Sequence, residues 1–171
     1  MDIEEFKQTT ENLYGKPCWN VQRGIGSFIT LEFGKPHLEI SEVLEYRGKQ
    51  RRLVYAQGEW HLFVYCCNWK YFCGDEFIAH NESSDEDIQR AILDLGGQSL
   101  SRISFKDKIS VFTFDLGGRL GTYPNDYYEN DAIEQWFLYL PDDYHITFSA
   151  NGQLKRESLS KYTKTSFHRE E

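Results

Sequence analysis

The sequence has no long apolar run, and it contains one methionine and four prolines among its 171 residues. A membrane-spanning helix needs about 20 consecutive apolar residues. The longest apolar stretch, residues 59–72, is shorter and includes polar side chains. The N-terminus, Met-Asp-Ile-Glu-Glu, also lacks the basic and then apolar pattern of a secretion signal. We therefore expect a cytoplasmic protein without a membrane segment.

Positive charge is scarce as well. Lysine and arginine together number 19 against 27 acidic residues, which gives a formal net charge of −8. Affinity for nucleic acid comes mainly from basic side chains that displace counterions from phosphates, so we expect no nucleic-acid partner. An acidic surface keeps a protein soluble or attracts a basic partner.

The few cysteines fit neither a disulfide framework nor a metal site. Cys66 and Cys67 are adjacent, so on a strand they point to opposite faces and cannot chelate one ion together. Cys73 and His80 complete the one cluster of metal-ligand types. We interpret these cysteines and Cys18 as reduced, buried thiols and expect no metal and no cofactor.

Recognisable catalytic frames are missing too. Ser27 lies in Gly-Ile-Gly-Ser-Phe, which is not the nucleophile elbow of hydrolases. Gly24 and Gly26 lack the third glycine of a dinucleotide-binding fingerprint. The histidines available to a nucleophile are His37, His61, His80 and His145. These observations favour a non-catalytic protein, with a hydrolase or thiol enzyme that uses a Cys/His pair as an alternative.

Aromatic side chains are abundant, at 16% of the residues, and they pack well on strands. Helices are predicted over residues 2–12 and 84–95, the second begun by a capping box of Ser83 and Glu86 and ended by Gly96-Gly97. The pattern of residues 59–72 predicts two strands joined at Cys67-Asn68, the first of them central and covered on both faces. Strands with period two are predicted at residues 17–22, 27–33, 37–41, 51–56, 76–80, 101–105, 110–116, 119–123, 135–140, 145–149 and 153–156.

The chain also repeats itself. Aligning residues 13–40 with residues 95–123 pairs Leu13 with Leu95, Gly15 with Gly97, Val21 with Ile103 and Leu38 with Leu120, and a one-residue gap pairs Glu32-Phe33-Gly34 with Asp115-Leu116-Gly117. Trp60 and Trp136 each begin an apolar run and are interpreted as equivalent. The repetition predicts two similar meander halves in one α+β protein, mostly antiparallel and packed as a sandwich or barrel, with a linking helix and a short N-terminal helix.

This organisation divides one compact body into successive parts. Residues 1–12 form the N-terminal helix, 13–82 the first β half, 83–96 the linking helix and 97–156 the second β half. Residues 157–171 are rich in serine, threonine and basic residues and are expected to form a flexible tail. Duplicated sheets with free edges often pair with a second copy, so the sequence leaves both a monomer and a dimer as alternatives.

Several segments resemble an uncharacterised family of bacterial proteins. They are residues 24–34, residues 58–65, Gly97-Gln98-Ser99-Leu100, Phe114-Asp115-Leu116-Gly117-Gly118 and Gln135-Trp136-Phe137-Leu138. The resemblance covers most of residues 13–154 and implies no established activity. Acidic, β-rich single domains of this size are also similar to immunity proteins of toxin systems, an analogy of fold and composition.

The acidic, tyrosine-bearing loop at residues 123–134 is the candidate partner-binding site. Tyrosine offers contact area at low entropic cost, and carboxylates steer a basic partner. The residues expected to bind are Tyr123, Asp126, Tyr127, Tyr128, Glu129 and Asp131.

The predicted function is that of a non-catalytic cytosolic binding protein. An acidic, immunity-type inhibitor of a basic protein is its most specific form. A small-molecule binding module with a pocket between the halves is the second hypothesis, and the Cys/His enzyme is the third.

Overall fold

The computed structural model describes residues 1–41, 43–127 and 133–159. It confirms an α+β fold, dominated by antiparallel strands, with two helices. The helices are α1 (Ile3–Thr10) and α2 (Asp85–Leu95), and a short 3-10 turn follows α1 at Glu11–Leu13. The strands are β1 (Cys18–Arg23), β2 (Ile29–Phe33), β3 (His37–Ile40), β4 (Leu44–Tyr46), β5 (Lys49–Arg51), β6 (Val54–Gln57), β7 (Trp60–Val64), β8 (Cys67–Cys73), β9 (Glu76–His80), β10 (Leu100–Lys106), β11 (Ile109–Phe114), β12 (Gly118–Pro124), β13 (Glu134–Tyr139), β14 (Tyr144–Ser149) and β15 (Leu154–Ser158).

Two large sheets form the body. Sheet I has six strands in the order β1-β2-β7-β13-β14-β15, and sheet II has five in the order β10-β11-β12-β8-β9. Alternate side chains of β7 and of β11 are buried, as the period of two requires. The buried aromatic rings of Trp136 in sheet I and Phe112 in sheet II are 5.6 Å apart, so the two sheets share one core. None of the helices in the described residues is long and apolar enough to cross a membrane.

Local chemistry explains both helix starts. The Asp2 side chain accepts a hydrogen bond from the Glu5 amide at the N-terminus of α1. In α2 the cap is Ser84, which accepts from the Asp87 amide. The expected capping box at Ser83 is thus wrong by one residue, because the Ser83 hydroxyl accepts from the His80 amide instead.

The internal duplication has a reciprocal set of hydrogen bonds at its centre. The Gly15 amide donates to the Leu100 carbonyl and the Gly97 amide to the Cys18 carbonyl, each at 2.8 Å. The Cys18 amide donates to Gln98 and the Leu100 amide to Lys16, and an antiparallel bridge joins Pro17 to Ser99. The bonds of each pair exchange equivalent residues of the two repeats: Gly15 corresponds to Gly97, Cys18 to Leu100 and Lys16 to Gln98. This pattern indicates a local two-fold axis at the Pro17–Ser99 bridge.

The duplicated unit is a helix followed by five strands. In each repeat the first three strands form a meander in one sheet, and the next two cross to the other sheet. The last meander strand of one repeat then pairs with the crossing strand of the other, as β7 with β13 and β12 with β8. Gly15 and Gly97 end the two helical segments with φ of 81° and 89°, a conformation that glycine adopts without strain. The linking helix α2 is therefore the counterpart of α1.

The equivalence of Trp60 and Trp136 is wrong. Trp60 begins β7, a meander strand, whereas Trp136 lies in the crossing strand β13. The counterpart of Trp136 is Trp69 in β8, and both are fully buried. Each indole N–H donates into its own repeat, from Trp136 to the Ser110 hydroxyl and from Trp69 to the Ser27 carbonyl. The alignment failed because two apolar strands follow one another directly at residues 60–73 and either can match residues 134–139.

The two repeats differ in structure by one insertion, which lies within the first repeat. Between β11 and β12 the chain turns through residues 115–117, but between β2 and β7 it extends through residues 34–59, which we call the arm. In the arm, β3 pairs with β6, and β4 pairs with β5 at the far end. Arg47 and Gly48 form the tip turn with φ of 52° and 71°, as a two-residue hairpin turn needs.

Candidate functional site

The arm carries the densest group of exposed apolar side chains in the described residues. Leu38 is 68% exposed, Ile40 59%, Val54 56% and Tyr55 53%. Val43 and Leu53 are about half exposed as well. Contiguous exposed apolar surface is rare on monomeric proteins and marks contact sites.

The charge at the far end of the arm is opposite to that of the whole chain. Residues 43–53 contain Arg47, Lys49, Arg51 and Arg52 against the single acid Glu45, and all five side chains are exposed. The chain as a whole has a net charge of −8. Because the Debye length is about 8 Å at physiological ionic strength, a partner at the arm tip meets positive charge.

A pocket of about 670 Å³ lies at the root of the arm, over the outer face of β1, β2 and β7. Its walls include Trp19, Asn20, Gln22, Thr30 and Tyr55. Asn20 has φ of 49° in an irregular part of β1 between Trp19 and Gln22. Non-glycine residues in this conformation cluster at functional sites.

Glu32 and His61 form a carboxylate–imidazole pair in this pocket. The Nδ1 atom of His61 is 2.7 Å from Oε1 of Glu32, whose other oxygen accepts the Gly58 amide at 2.9 Å. Glu32 is 5% exposed. No lysine or arginine forms an ion pair with Glu32 among the described residues. The pair lies on neighbouring strands because Glu32 of β2 is in register with His61 of β7.

Aromatic rings continue from the pocket across the outer face of sheet I. The ring of Tyr139 is 5.5 Å from that of His61, and the ring of Phe137 is 6.3 Å from that of Phe63. The other rings in this array are Phe28 and Tyr65. Phe63 and Tyr65 are half-buried, so the strand expected to be covered on both faces is central in sheet I but not fully covered on its outer face.

Of the predicted partner-binding residues, the ones that the structure describes lie at the end of β12 in sheet II and in the turn after it. Tyr123 ends β12, and the Lys70 ammonium lies over its ring at 5.5 Å. Asp126 and Tyr127 are exposed in the following turn, Tyr127 by 84%. Three further predicted residues, Tyr128, Glu129 and Asp131, lie outside the described residues, as does the tail from residue 160.

The rings of His37, His61 and His80 each contact a glutamate residue rather than a cysteine. The His37 ring lies against Glu39, and the His80 ring accepts the Glu82 amide. Burial lowers the pKa of His145. In the part of the chain that the structure describes, no three His, Cys, Asp or Glu side chains come together as a metal site would require. Sequence reasoning missed the Glu32–His61 pair because its members are far apart in the chain and meet only through strand register.

Burial separates the four cysteines into two classes, and none of them forms a disulfide. Cys18 and Cys67 are buried, and burial raises the pKa of Cys18 to about 11 and that of Cys67 further still. The thiolate is the reactive form. Ellman's reagent with mass spectrometry should therefore modify Cys66 and Cys73 in the folded protein and reach Cys18 and Cys67 only after denaturation. Equal rates at all four would contradict the described core.

A second pocket, of about 540 Å³, lies between the repeats, where α1 of the first meets β10 of the second. Its charged side chains, Lys7 and Arg102, are exposed to solvent. A ligand there would meet solvated groups, whereas the arm-root pocket contains a buried carboxylate. The arm and the pocket at its root are therefore the stronger candidates.

No family model matches the sequence, and comparisons with curated proteins and with solved structures give no match. The resemblance to an uncharacterised bacterial family stays a prediction.

Proposed function

We propose that this chain is a non-catalytic cytosolic binding protein that contacts a protein partner through the arm. The observation that carries the proposal is the exposure of Leu38, Ile40 and Val54 on a two-stranded sheet that the second repeat lacks. Four cysteines without a disulfide fit a reducing compartment. The inhibitor-like role expected from the acidic composition is one form of such binding.

The shape of the arm favours a partner that covers it. Paired strands β3 and β6 have no further strand neighbours in the described residues, so each presents backbone N–H and C=O groups along one edge. Such edges pair readily with another chain. The apolar side chains would supply burial in the same contact, at roughly 25 cal/mol per Å² of area removed from water.

The charges of the arm define the chemistry of the partner surface. Because Arg47, Lys49, Arg51 and Arg52 surround the tip, the complementary surface is an apolar strip bordered by carboxylates. The net charge of the chain favours a basic partner elsewhere on the body. At the arm itself the local charge decides, because distant charges are screened.

Leu38→Asp should weaken partner binding strongly while leaving the fold intact. A carboxylate in the apolar strip would cost about 2 kcal/mol or more at a well-packed contact, or roughly thirtyfold in affinity. Leu116→Asp is the matched control, because Leu116 is 70% exposed and Leu38 68% exposed, but Leu116 lies in the turn that replaces the arm in the second repeat. The measurement is the dissociation constant for a partner recovered with the wild-type chain.

An equal loss of affinity in both variants, or no loss in either, would show that the arm is not part of the contact. Sedimentation equilibrium of the same two variants tests a second copy as the partner. A dimer that Leu38→Asp dissociates and Leu116→Asp preserves would identify the arm as a self-association surface rather than a site for a different protein.

A further inference from the structure

The arm-root pocket contains a buried carboxyl side chain, Glu32, that forms no ion pair with a lysine or an arginine in the described residues. Glu32 is 95% buried, and its two oxygens are bound by the His61 imidazole and the Gly58 amide. Burying a carboxylate is costly unless it is paired. In the neutral imidazole whose Nδ1–H donates to Glu32, the Nε2 atom is an acceptor, and the hydrogen bond of His61 in the described residues is made by Nδ1.

The second repeat shows what occupies the same position when the pocket is absent. The strand register that places His61 beside Glu32 and Tyr139 places Arg119 beside Thr113 and Phe72. The Arg119 guanidinium lies 5.7 Å from the centre of the Phe72 ring and donates to the Gly74 carbonyl at 2.6 Å. That repeat therefore holds its own cation on an aromatic ring.

The first repeat reverses this arrangement. A shorter imidazole replaces the guanidinium, a carboxylate replaces the threonine hydroxyl, and space remains in front of them. The aromatic walls are Trp19 and Tyr55, and the polar walls are Asn20, Gln22 and Thr30. No lysine or arginine is among the described lining residues. Aromatic faces, neutral acceptors and one buried carboxylate suit a cationic guest.

We propose that the arm-root pocket binds a cationic nitrogen group, a guanidinium or a primary ammonium, from a small ligand or from a side chain of a basic protein. The guest donates its N–H groups to Nε2 of His61 and to the amide oxygens of the wall, and it stacks against the aromatic rings. The proposal does not depend on the partner of the apolar strip of the arm.

The test uses Nα-acetyl-arginine amide as the probe and Nα-acetyl-citrulline amide as its uncharged counterpart. Chemical shifts of the His61 imidazole report binding at this pocket. The arginine probe should shift them at millimolar concentrations. The citrulline probe should bind with an affinity lower by about tenfold, because charge-assisted hydrogen bonds are roughly twice as strong as neutral ones. Equal binding of the two probes, or no shift with either, would overturn the proposal.

Glu32→Gln should remove most of the preference for the charged probe, since the amide keeps an acceptor for the Gly58 N–H but no charge. Glu59→Gln is the matched control, because Glu59 is also at the arm root and accepts the Lys35 amide outside the pocket. Equal losses in the two variants would count against the pocket.

A second variant keeps the test valid if Glu32→Gln unfolds. Tyr55 is 53% exposed, so Tyr55→Ala should stay folded and weaken binding of the arginine probe, because one aromatic wall is lost. Unchanged binding would overturn the proposal.

A peptide with one central arginine identifies the source of the cation. Tighter binding of the peptide than of the amide assigns the pocket to a protein side chain, and equal binding assigns it to a small ligand.

Discussion

Replacing residues 34–59 by Asp-Leu-Gly, the turn of the second repeat, should give a folded protein that no longer binds its partner. The replacement is allowed by the duplication. Strand β2 ends at Phe33 and β7 begins at Trp60, just as β11 ends at Phe114 and β12 begins at Gly118. Paired strands that are one short turn apart need no arm to keep their register.

The cost to the fold should be small. The excision removes the bond from the Trp19 indole to the Gly34 carbonyl and that from the Gly58 amide to Glu32. Each such hydrogen bond contributes about 0.5–1.5 kcal/mol, and one to a charged group contributes up to about 3 kcal/mol. Thermal denaturation should therefore show a cooperative transition at a moderately lower temperature.

Binding should fall below detection in the same variant. The exposed apolar strip and the basic tip both leave with the arm. Isothermal titration of the partner against wild-type and excised chains checks this result. An excised chain that folds and still binds with wild-type affinity would place the contact elsewhere, for instance at the loop that begins with Tyr123 and Asp126.

Trp136→Ala should lower the free energy of unfolding by about 3–5 kcal/mol, the range for removing a large aromatic side chain from a core. Trp136 is fully buried. Its ring centre is 5.6 Å from that of Phe112 and 5.7 Å from that of Phe148. Its indole N–H donates to the Ser110 hydroxyl at 2.8 Å, so alanine leaves a cavity and removes this hydrogen bond, while the Ser110 hydroxyl keeps its contact with the Thr122 hydroxyl.

Trp69→Ala should cost a comparable amount, because Trp69 occupies the same position in the first repeat and is also fully buried. Urea denaturation measures the free energy of unfolding of all these variants. Tyr55→Ala is the control, since a half-exposed side chain on the arm should change stability by about 0.5 kcal/mol or less. A loss below about 1 kcal/mol in Trp136→Ala would show that the two sheets do not share one core around it.

Much of the fold was predictable because each element depends on local chemistry. Acids and a capping hydroxyl start α2, and a glycine with positive φ follows its end. Alternating aromatic and β-branched residues predict the strands. The repeat of Leu13-x-Gly15 as Leu95-x-Gly97 predicts the duplication, and those residues lie at equivalent places in the two repeats.

The order of strands within the sheets was not predictable in the same way. Whether β7 or β8 matches β13 depends on which strand crosses to the other sheet, and period two is the same in both. The error over Trp60 follows from this ambiguity. The exposure of the apolar side chains of the arm was not predictable either, because it depends on what packs against them, which is a tertiary property.

By itself, the sequence determined the helices, nearly all of the strands, the duplication and the acidic charge, because these depend on neighbouring residues and on composition. Tertiary structure alone decided which strands exchange between the sheets. It also decided that Glu32 meets His61 in a pocket that Tyr55 of the arm helps to line. The physical reason is that strand register and burial are set by contacts between residues far apart in the chain, and the energy of those contacts is shared over the whole core.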